Sequence, residues 1–228
     1  MNMRMAHPKN KKRLFVIVAA GIIVGGALVS GQAPPRRREH VARITQMRNE
    51  EVQPERLMDK IGVEPGMVIG EAGAGGGYLT FHLARKVGPQ GHVYANDIER
   101  YALEVLRERQ SWEGLTNITT VLGESDDPLF PEKDLDMIVM MYAFHEFADK
   151  VAWLKNARKY LKPGAPVVIL EHLDDNDRII LAGDVDNEAR QAGFEMTLFE
   201  KFVPRVNIFV LRARAADGAR PEKGSNLP

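Results

Sequence analysis

The stretch "MVIGEAGAGGGYLT", Met67 to Thr80, constrains this chain more than any other. An apolar run stops at an acid, Glu71, and Gly73, Gly75, Gly76 and Gly77 crowd the next positions. Met67-Val68-Ile69 follows the turn signal "VEPG" and reads as a short buried strand. Beyond the glycines, Leu79, Leu83 and Val87 mark one face of a helix, and Gly88 is placed to end it. The loop therefore joins a strand to a helix. Its glycines permit positive φ and let a ligand approach the backbone. The helix N-terminus adds free N–H donors.

The same alternation continues to the C-terminus. Strands are expected at Met67–Glu71, in "GHVYAND", "NITTVLGES" and "DLDMIVMMY", and at "APVVILEH", which the Pro163-Gly164 turn launches. Helices are expected at Leu79–Val87, Ile98–Arg109, Phe147–Leu161 and around Ala182–Ala192. "FEMTLFEKF" and "NIFVLRARA" are separated only by "VPRV", too short for a crossover, so they form a hairpin. Alternating strands and helices imply an α/β fold with a parallel sheet covered on both faces, here with one antiparallel strand added by the hairpin. Upstream, "QAPPRRREH" reads as a linker, and Val41–Ile61 as two short capping helices broken at Pro54. The organisation is then a basic flank with an apolar segment over 1–33, linker and capping helices over 34–61, the main domain over 62–214, and a polar, disordered tail over 215–228.

Composition narrows the chemistry. Cysteine is absent, which removes disulfides, thiolate metal sites and Cys nucleophiles. The 31 basic and 31 acidic residues balance only formally. Eight Lys/Arg and one acid lie in the first 40 residues, leaving 23 basic against 30 acidic residues in the rest. An acidic domain is a poor platform for phosphate backbones, so no nucleic-acid partner is expected. The basic flank "KKR" precedes an uncharged run of sixteen residues, Leu14 to Val29, extendable through Ser30, Gly31 and Ala33. Such a run suits a membrane anchor, with a cleaved signal segment as the alternative. Charges flanking it are nearly tied, five before (Arg4, Lys9, Lys11, Lys12, Arg13) and four after (Arg36, Arg37, Arg38, Arg43).

The glycine loop fails two common patterns. From Gly73 the string is "GAGGGY", with Tyr78 where the dinucleotide fingerprint needs Gly, and no Lys completes a phosphate loop. Acidic-x-Gly-x-Gly-x-Gly does fit: Glu71, Gly73, Gly75 and Gly77. In this the sequence resembles the class I S-adenosylmethionine (SAM)-dependent methyltransferases, over roughly Pro54 to Ala213. The resemblance implies a doubly wound, mostly parallel seven-stranded sheet, Rossmann-like, with a C-terminal antiparallel hairpin. It implies SAM as methyl donor. Asp97 ends the second strand and lies 24 residues beyond Gly73, where the family places an acid on the donor's ribose. The alternative is that Asp97 caps the following helix. Glu124-Ser125 stands where the family usually reads Asp-Ala beside adenine, and Asp126 is a rival.

The fourth strand ends at "MYAFHEF", the family's place for the donated methyl and the acceptor. Tyr142, His145 and Glu146 are its candidate catalytic residues, with His145 suited to act as general base. The alternative is that His145 and Glu146 cap the next helix and line the donor's methionine end, since methyl transfer from a sulfonium can proceed by in-line positioning. Glu171 and His172 end the fifth strand, but no tight ligand spacing marks a metal site, and none is expected. Within the family the nearest likeness is to small-molecule enzymes of the quinone-biosynthesis and arsenite types; the missing cysteines argue against the arsenite chemistry. The expectation is a membrane-tethered, monomeric methyltransferase for a small or lipophilic acceptor, the domain facing the cytoplasm where the donor is made. A catalytically silent SAM-binding module and a nicotinamide oxidoreductase are the alternatives.

Overall fold

A computed structural model of the chain describes residues 35–172 and 182–214. The apolar run near the N-terminus, the C-terminal tail and the aspartates after His172 lie outside those residues, as do the expectations placed on them. Seven strands form one sheet: β1 (Val68–Ala72), β2 (His92–Asp97), β3 (Ile118–Leu122), β4 (Met137–Met141), β5 (Pro166–Glu171), β6 (Phe194–Val203) and β7 (Val206–Ala213). Their order is β3-β2-β1-β4-β5-β7-β6. The first five are parallel, and β7 runs antiparallel between β5 and β6, as the short "VPRV" connection requires. β4 and β5 are buried along their whole length. That is why both read as continuous apolar runs rather than alternating ones.

Helices cover both faces. Leu57 and Met58 of α2 (Pro54–Ile61), Leu83 of α3 (Tyr78–Val87) and Leu106 of α4 (Arg100–Glu113) share one core with Ile69 and Val139. Trp153 and Leu154 of α5 (Lys150–Ala157) and Val185 and Ala189 of α6 (Ala182–Gln191) share the other with Ile138 and Ile169. The chain runs outward from β1 to β3, then restarts at β4 on the other side of β1. The carboxyl ends of β1 and β4 therefore flank the topological switch point, where open α/β sheets take ligands.

Three expectations need correction. The linker "QAPPRRREH" is helical from Pro35, so α1 runs from Pro35 to Val52 without a break. Proline is suited to a first helical turn, which needs no N–H donor there. α1 is an outlier among the helices, because Val52 is its one buried residue. Gln53, at φ 52°, turns the chain into α2. Second, the helix expected from Phe147 starts at Lys150, because Asp149 caps it by accepting from the Ala152 N–H at 2.8 Å. It ends early, giving way to a 3₁₀ turn over Arg158–Tyr160. Third, the helix expected at Ile98 begins at Arg100.

Candidate functional site

The glycine loop is fastened to β2 by two backbone N–H groups. Ala74 donates to the Asn96 carbonyl at 2.8 Å, and Gly75 donates to Asp97 Oδ2, also at 2.8 Å. The other carboxylate oxygen of Asp97 accepts from the Glu99 N–H at 2.9 Å. Asp97 is thus not the helix cap, which is Glu99. It is a latch between loop and strand, and each carboxylate oxygen retains a lone pair for a hydroxyl donor.

The loop glycines divide by role. A Cβ at Gly73 would lie 2.4 Å from the Ala143 Cβ, and one at Gly77 would lie 2.6 Å from the Phe81 ring. Those two let the loop pack against the chain after β4 and against α3. Gly75, at φ 53°, faces open space: nothing lies within 4 Å of its Cβ position. Of the three, Gly75 alone leaves its backbone open to approach.

Glu71, the last residue but one of β1, is 2 % exposed. Its Oε2 has no hydrogen-bond partner. Burial pushes its carboxyl up to about 8. The hydroxyl and N–H of Thr80 pull the other way, Asp97 adds to the rise, and Arg48 opposes it. A buried carboxylate oxygen without a partner is costly unless something answers it.

Arg48 comes from α1. Its guanidinium lies 4.1 Å from the Tyr78 ring centroid and 5.5 Å from that of Tyr142. One N–H reaches Met141 Sδ at 3.9 Å. The neighbouring Asn49 accepts from the Tyr78 hydroxyl at 2.9 Å. Burial lifts the Tyr78 phenol to about 12, against the pull of Arg48. Tyr142 sits at φ 55°, unusual for a residue with a bulky side chain. Its N–H donates to Leu170 O at 2.8 Å and its hydroxyl to Arg205 O at 3.3 Å, which together hold it there.

His145 and Glu146 occupy a 3₁₀ turn, Phe144–Glu146. His145 Nδ1 lies 3.2 and 3.1 Å from the two oxygens of Glu171, and the His145 N–H also donates to Glu171 at 3.2 Å. The Glu171 side chain is 4 % exposed, that of His145 42 % and that of Glu146 78 %. Asn207 holds the strand end beneath by donating to Glu171 O at 3.2 Å. A carboxylate on Nδ1 fixes the tautomer and leaves Nε2 free to take a proton. Glu146 Oε1 lies 3.1 Å from that nitrogen. Neither residue caps a helix. Among the described residues no group of three His, Asp or Glu is placed to hold a metal ion.

Glu124 and Ser125 are exposed after β3, as is Asp126. The acid that organises their loop is Asp127. Burial raises its carboxyl, but Lys159, the Leu129 N–H (3.0 Å) and the Tyr160 hydroxyl (2.7 Å) together hold it below the usual range. Buried Asn96 donates to Pro128 O at 2.7 Å from below. The structure therefore brings Glu71, Gly75, Asp97, Tyr142 and the His145–Glu171 pair to one edge of the sheet, and leaves Glu124 and Ser125 at its rim. Sequence reasoning misses Arg48, Asn49 and Tyr78 as members of this edge. In the sequence Tyr78 stands out only as the residue that breaks a fingerprint.

A family model described as a methyltransferase domain matches residues 64–199. The chain belongs to the class I SAM-dependent methyltransferase family. The donor of such methyltransferases is SAM, and the orphaned Glu71, the open face of Gly75 and the spare lone pairs of Asp97 fit a ligand with cationic and hydroxyl groups. The ubiquinone/menaquinone biosynthesis C-methyltransferase UbiE of Vibrio parahaemolyticus is 33% identical over 115 residues, 50% of this chain and 44% of the relative. That of Shewanella woodyi is 30% identical, over 50% of this chain and 46% of the relative. The chain spans less than half the length of these curated relatives. Among solved structures, a SAM-dependent methyltransferase from Aquifex aeolicus shares the fold with a TM-score of 0.69 at 22% identity, covering 73% of this chain and 93% of that one. The trans-methyltransferase CalH, solved with S-adenosylhomocysteine (SAH), shares it with a TM-score of 0.57 at 20% identity, over 66% and 52%. The nicotinamide alternative has no support from these likenesses.

Proposed function

We propose that this methyltransferase alkylates a small, lipophilic, ring-hydroxylated acceptor of the quinol type, and that His145 is its general base. The observation that carries the reading is the His145–Glu171 pair at the carboxyl end of β5, beside the donor loop. Bound at the loop, SAM supplies an electrophilic methyl group that leaves its sulfur in line as the acceptor's bond forms, giving SAH. The chain's own groups do the rest. Glu171 holds the imidazole with Nε2 outward, and Nε2 takes the acceptor's hydroxyl proton. Removing that proton makes a phenolic oxygen, or the ring carbon beside it, a competent nucleophile. Glu146 then faces the N–H that forms on Nε2. The likeness to quinone-pathway C-methyltransferases supports ring carbon as the accepting atom; the methylated carbon then gives up its hydrogen as a proton to solvent and the ring oxygen takes one back, which restores the aromatic ring and leaves His145 with the one proton released.

The apolar run from Leu14 to Val29 supports a tether that keeps the domain near a lipophilic acceptor, with the domain on the cytoplasmic side. Among the described residues no helix is long and apolar enough to cross a membrane. Methyl-labelled SAM incubated with the full chain and a membrane extract tests the reaction. Mass spectrometry should find label on a quinol-sized lipid, on carbon. Label confined to water-soluble products would refute the acceptor class, and donor binding without turnover would favour the silent module. A fusion of the full chain to alkaline phosphatase tests the side: strong phosphatase activity would place the domain outside.

A further inference from the structure

α1 holds the domain by polar contacts on its inward side. Arg37 pairs with Glu108 of α4 at 2.7 Å, Arg38 lies 5.4 Å from the Trp112 ring of the same helix, and Asn49 accepts from the Tyr78 hydroxyl of α3. Its outward side is bare. Arg36, His40, Arg43 and Met47 follow one another at steps of four, three and four, so they form one stripe, with Ile44 beside it. All five are exposed, Ile44 by 49 % and Met47 by 62 %. Arg36 and Arg43 enter no ion pair among the described residues. Residues 35–47 hold four arginines and one acid, Glu39, while Glu50 and Glu51 stand at the other end of the helix. Exposed apolar residues are ordinary one by one. Here two of them stand among unpaired arginines on one helix.

Chain length brings a second, independent argument. Five residues separate Val29, the end of the uncharged apolar run, from Pro35, the start of α1. A fully extended chain of that length spans about 20 Å at most. With the run held in a bilayer, the start of α1 is kept within that distance of the headgroups. Arginines so close to a bilayer are drawn to anionic lipid, and apolar side chains among them enter the headgroup boundary.

We propose that α1 lies flat on an anionic lipid surface, with Arg36 and Arg43 on lipid phosphates and Ile44 and Met47 in the headgroup boundary. The proposal rests on the tether reading of Leu14–Val29 and adds an orientation to it. Arg48 and Asn49, on the same helix, touch Tyr78 and Tyr142 at the donor edge. A flat α1 therefore brings that edge alongside the bilayer, where a lipophilic acceptor resides.

The chain has no cysteine, so a single introduced one carries a fluorophore at a chosen site. The full chain is reconstituted with vesicles of phosphatidylcholine alone or mixed with phosphatidylglycerol. An environment-sensitive label is placed on Ile44→Cys, on Met47→Cys or, as reference, on Lys155→Cys of α5, whose core lies across the sheet. In mixed vesicles the labels on Ile44→Cys and Met47→Cys should shift to the blue, escape aqueous iodide and be quenched by spin-labelled lipid at a depth of about 5–10 Å. The label on Lys155→Cys should stay open to iodide. Phosphatidylcholine alone should lose most of the shift, and so should mixed vesicles when Arg36→Gln and Arg43→Gln are combined. Circular dichroism melts establish that each variant is folded. Chain that floats with mixed vesicles while the Met47→Cys label stays open to iodide would overturn the docking and leave the tether standing. Chain that floats with neither preparation would overturn both. A label shielded from iodide yet untouched by spin-labelled lipid would mean that a second copy covers α1, against the proposal. An equal shift in both preparations, or one that survives the loss of both arginines, would overturn the anionic recognition and the proposal with it.

Discussion

Replacing Glu71 by Gln should make the ligand-free protein more stable, and increasingly so as pH rises. In the folded chain the buried carboxyl is displaced from its ordinary 4.5 to about 8, chiefly by burial. Below about 4.5 both folded and unfolded chains hold the proton, and Glu71 contributes no pH dependence. Between the two values the unfolded chain ionises while the folded chain stays protonated. Raising pH there favours unfolding, and the loss levels off above about 8. At 1.36 kcal/mol per pH unit, the full span amounts to about 5 kcal/mol, and to about 3 kcal/mol at pH 7. Gln is close in shape to the protonated acid and has nothing to ionise. Urea unfolding of both proteins at steps from pH 4.5 to 9 measures the difference. The stability gap should grow across that window to about 2–5 kcal/mol in favour of the Glu71→Gln variant. Parallel curves would refute the reasoning, since they would mean that Glu71 carries no displaced proton. The stability gained should be matched by weaker SAH binding, the trade expected where a strained group is kept for a ligand.

Asp97→Ala should weaken SAH and methylthioadenosine alike by about 1.5–3 kcal/mol, because it removes a charged acceptor at the nucleoside end; calorimetric titration of both ligands checks this, and full affinity in a folded variant would refute the ribose role. Gly75→Val should abolish SAH binding at a stability cost of about 1–3 kcal/mol from its positive φ, whereas Gly77→Val, which has the same strain and also drives a side chain into Phe81, should cost more in denaturant unfolding. His145→Ala should lower kcat by about 10²–10⁴ on an acceptor that must lose a proton, with SAH affinity unchanged; a shift in KM alone would reduce His145 to a contact. Glu171→Gln should move the pH profile of kcat, as expected of a residue that acts through the imidazole.

The sheet was legible because its strands are short apolar runs bounded by turn residues, and because "VPRV" leaves no room for a crossover. The donor loop was legible because spacing alone carries it. What glycine does at each position was not: Gly73 and Gly77 answer to Ala143 and Phe81, contacts set by tertiary packing. α1 was partly hidden, since three successive arginines after two prolines look like a linker until a domain lies beneath them. Arg48 was hidden for a related reason. A single arginine in a charged helix has no local signature, and its meaning comes from Tyr78 and Tyr142, 30 and 94 positions further along the chain. The His145–Glu171 pair joins two strand ends that are neighbours only in the folded sheet. Sequence singles out both residues but not their partnership.

The central claim is that the carboxyl edge of β1, β2 and β4 is a donor site for methyl transfer. Titration of the full chain with SAH and, in parallel, with NADH tests it most directly. We expect saturable one-to-one binding of SAH, weakened in Asp97→Ala and lost in Gly75→Val, and no heat from NADH. Binding of NADH in place of SAH, or SAH binding that ignores both substitutions, would contradict it.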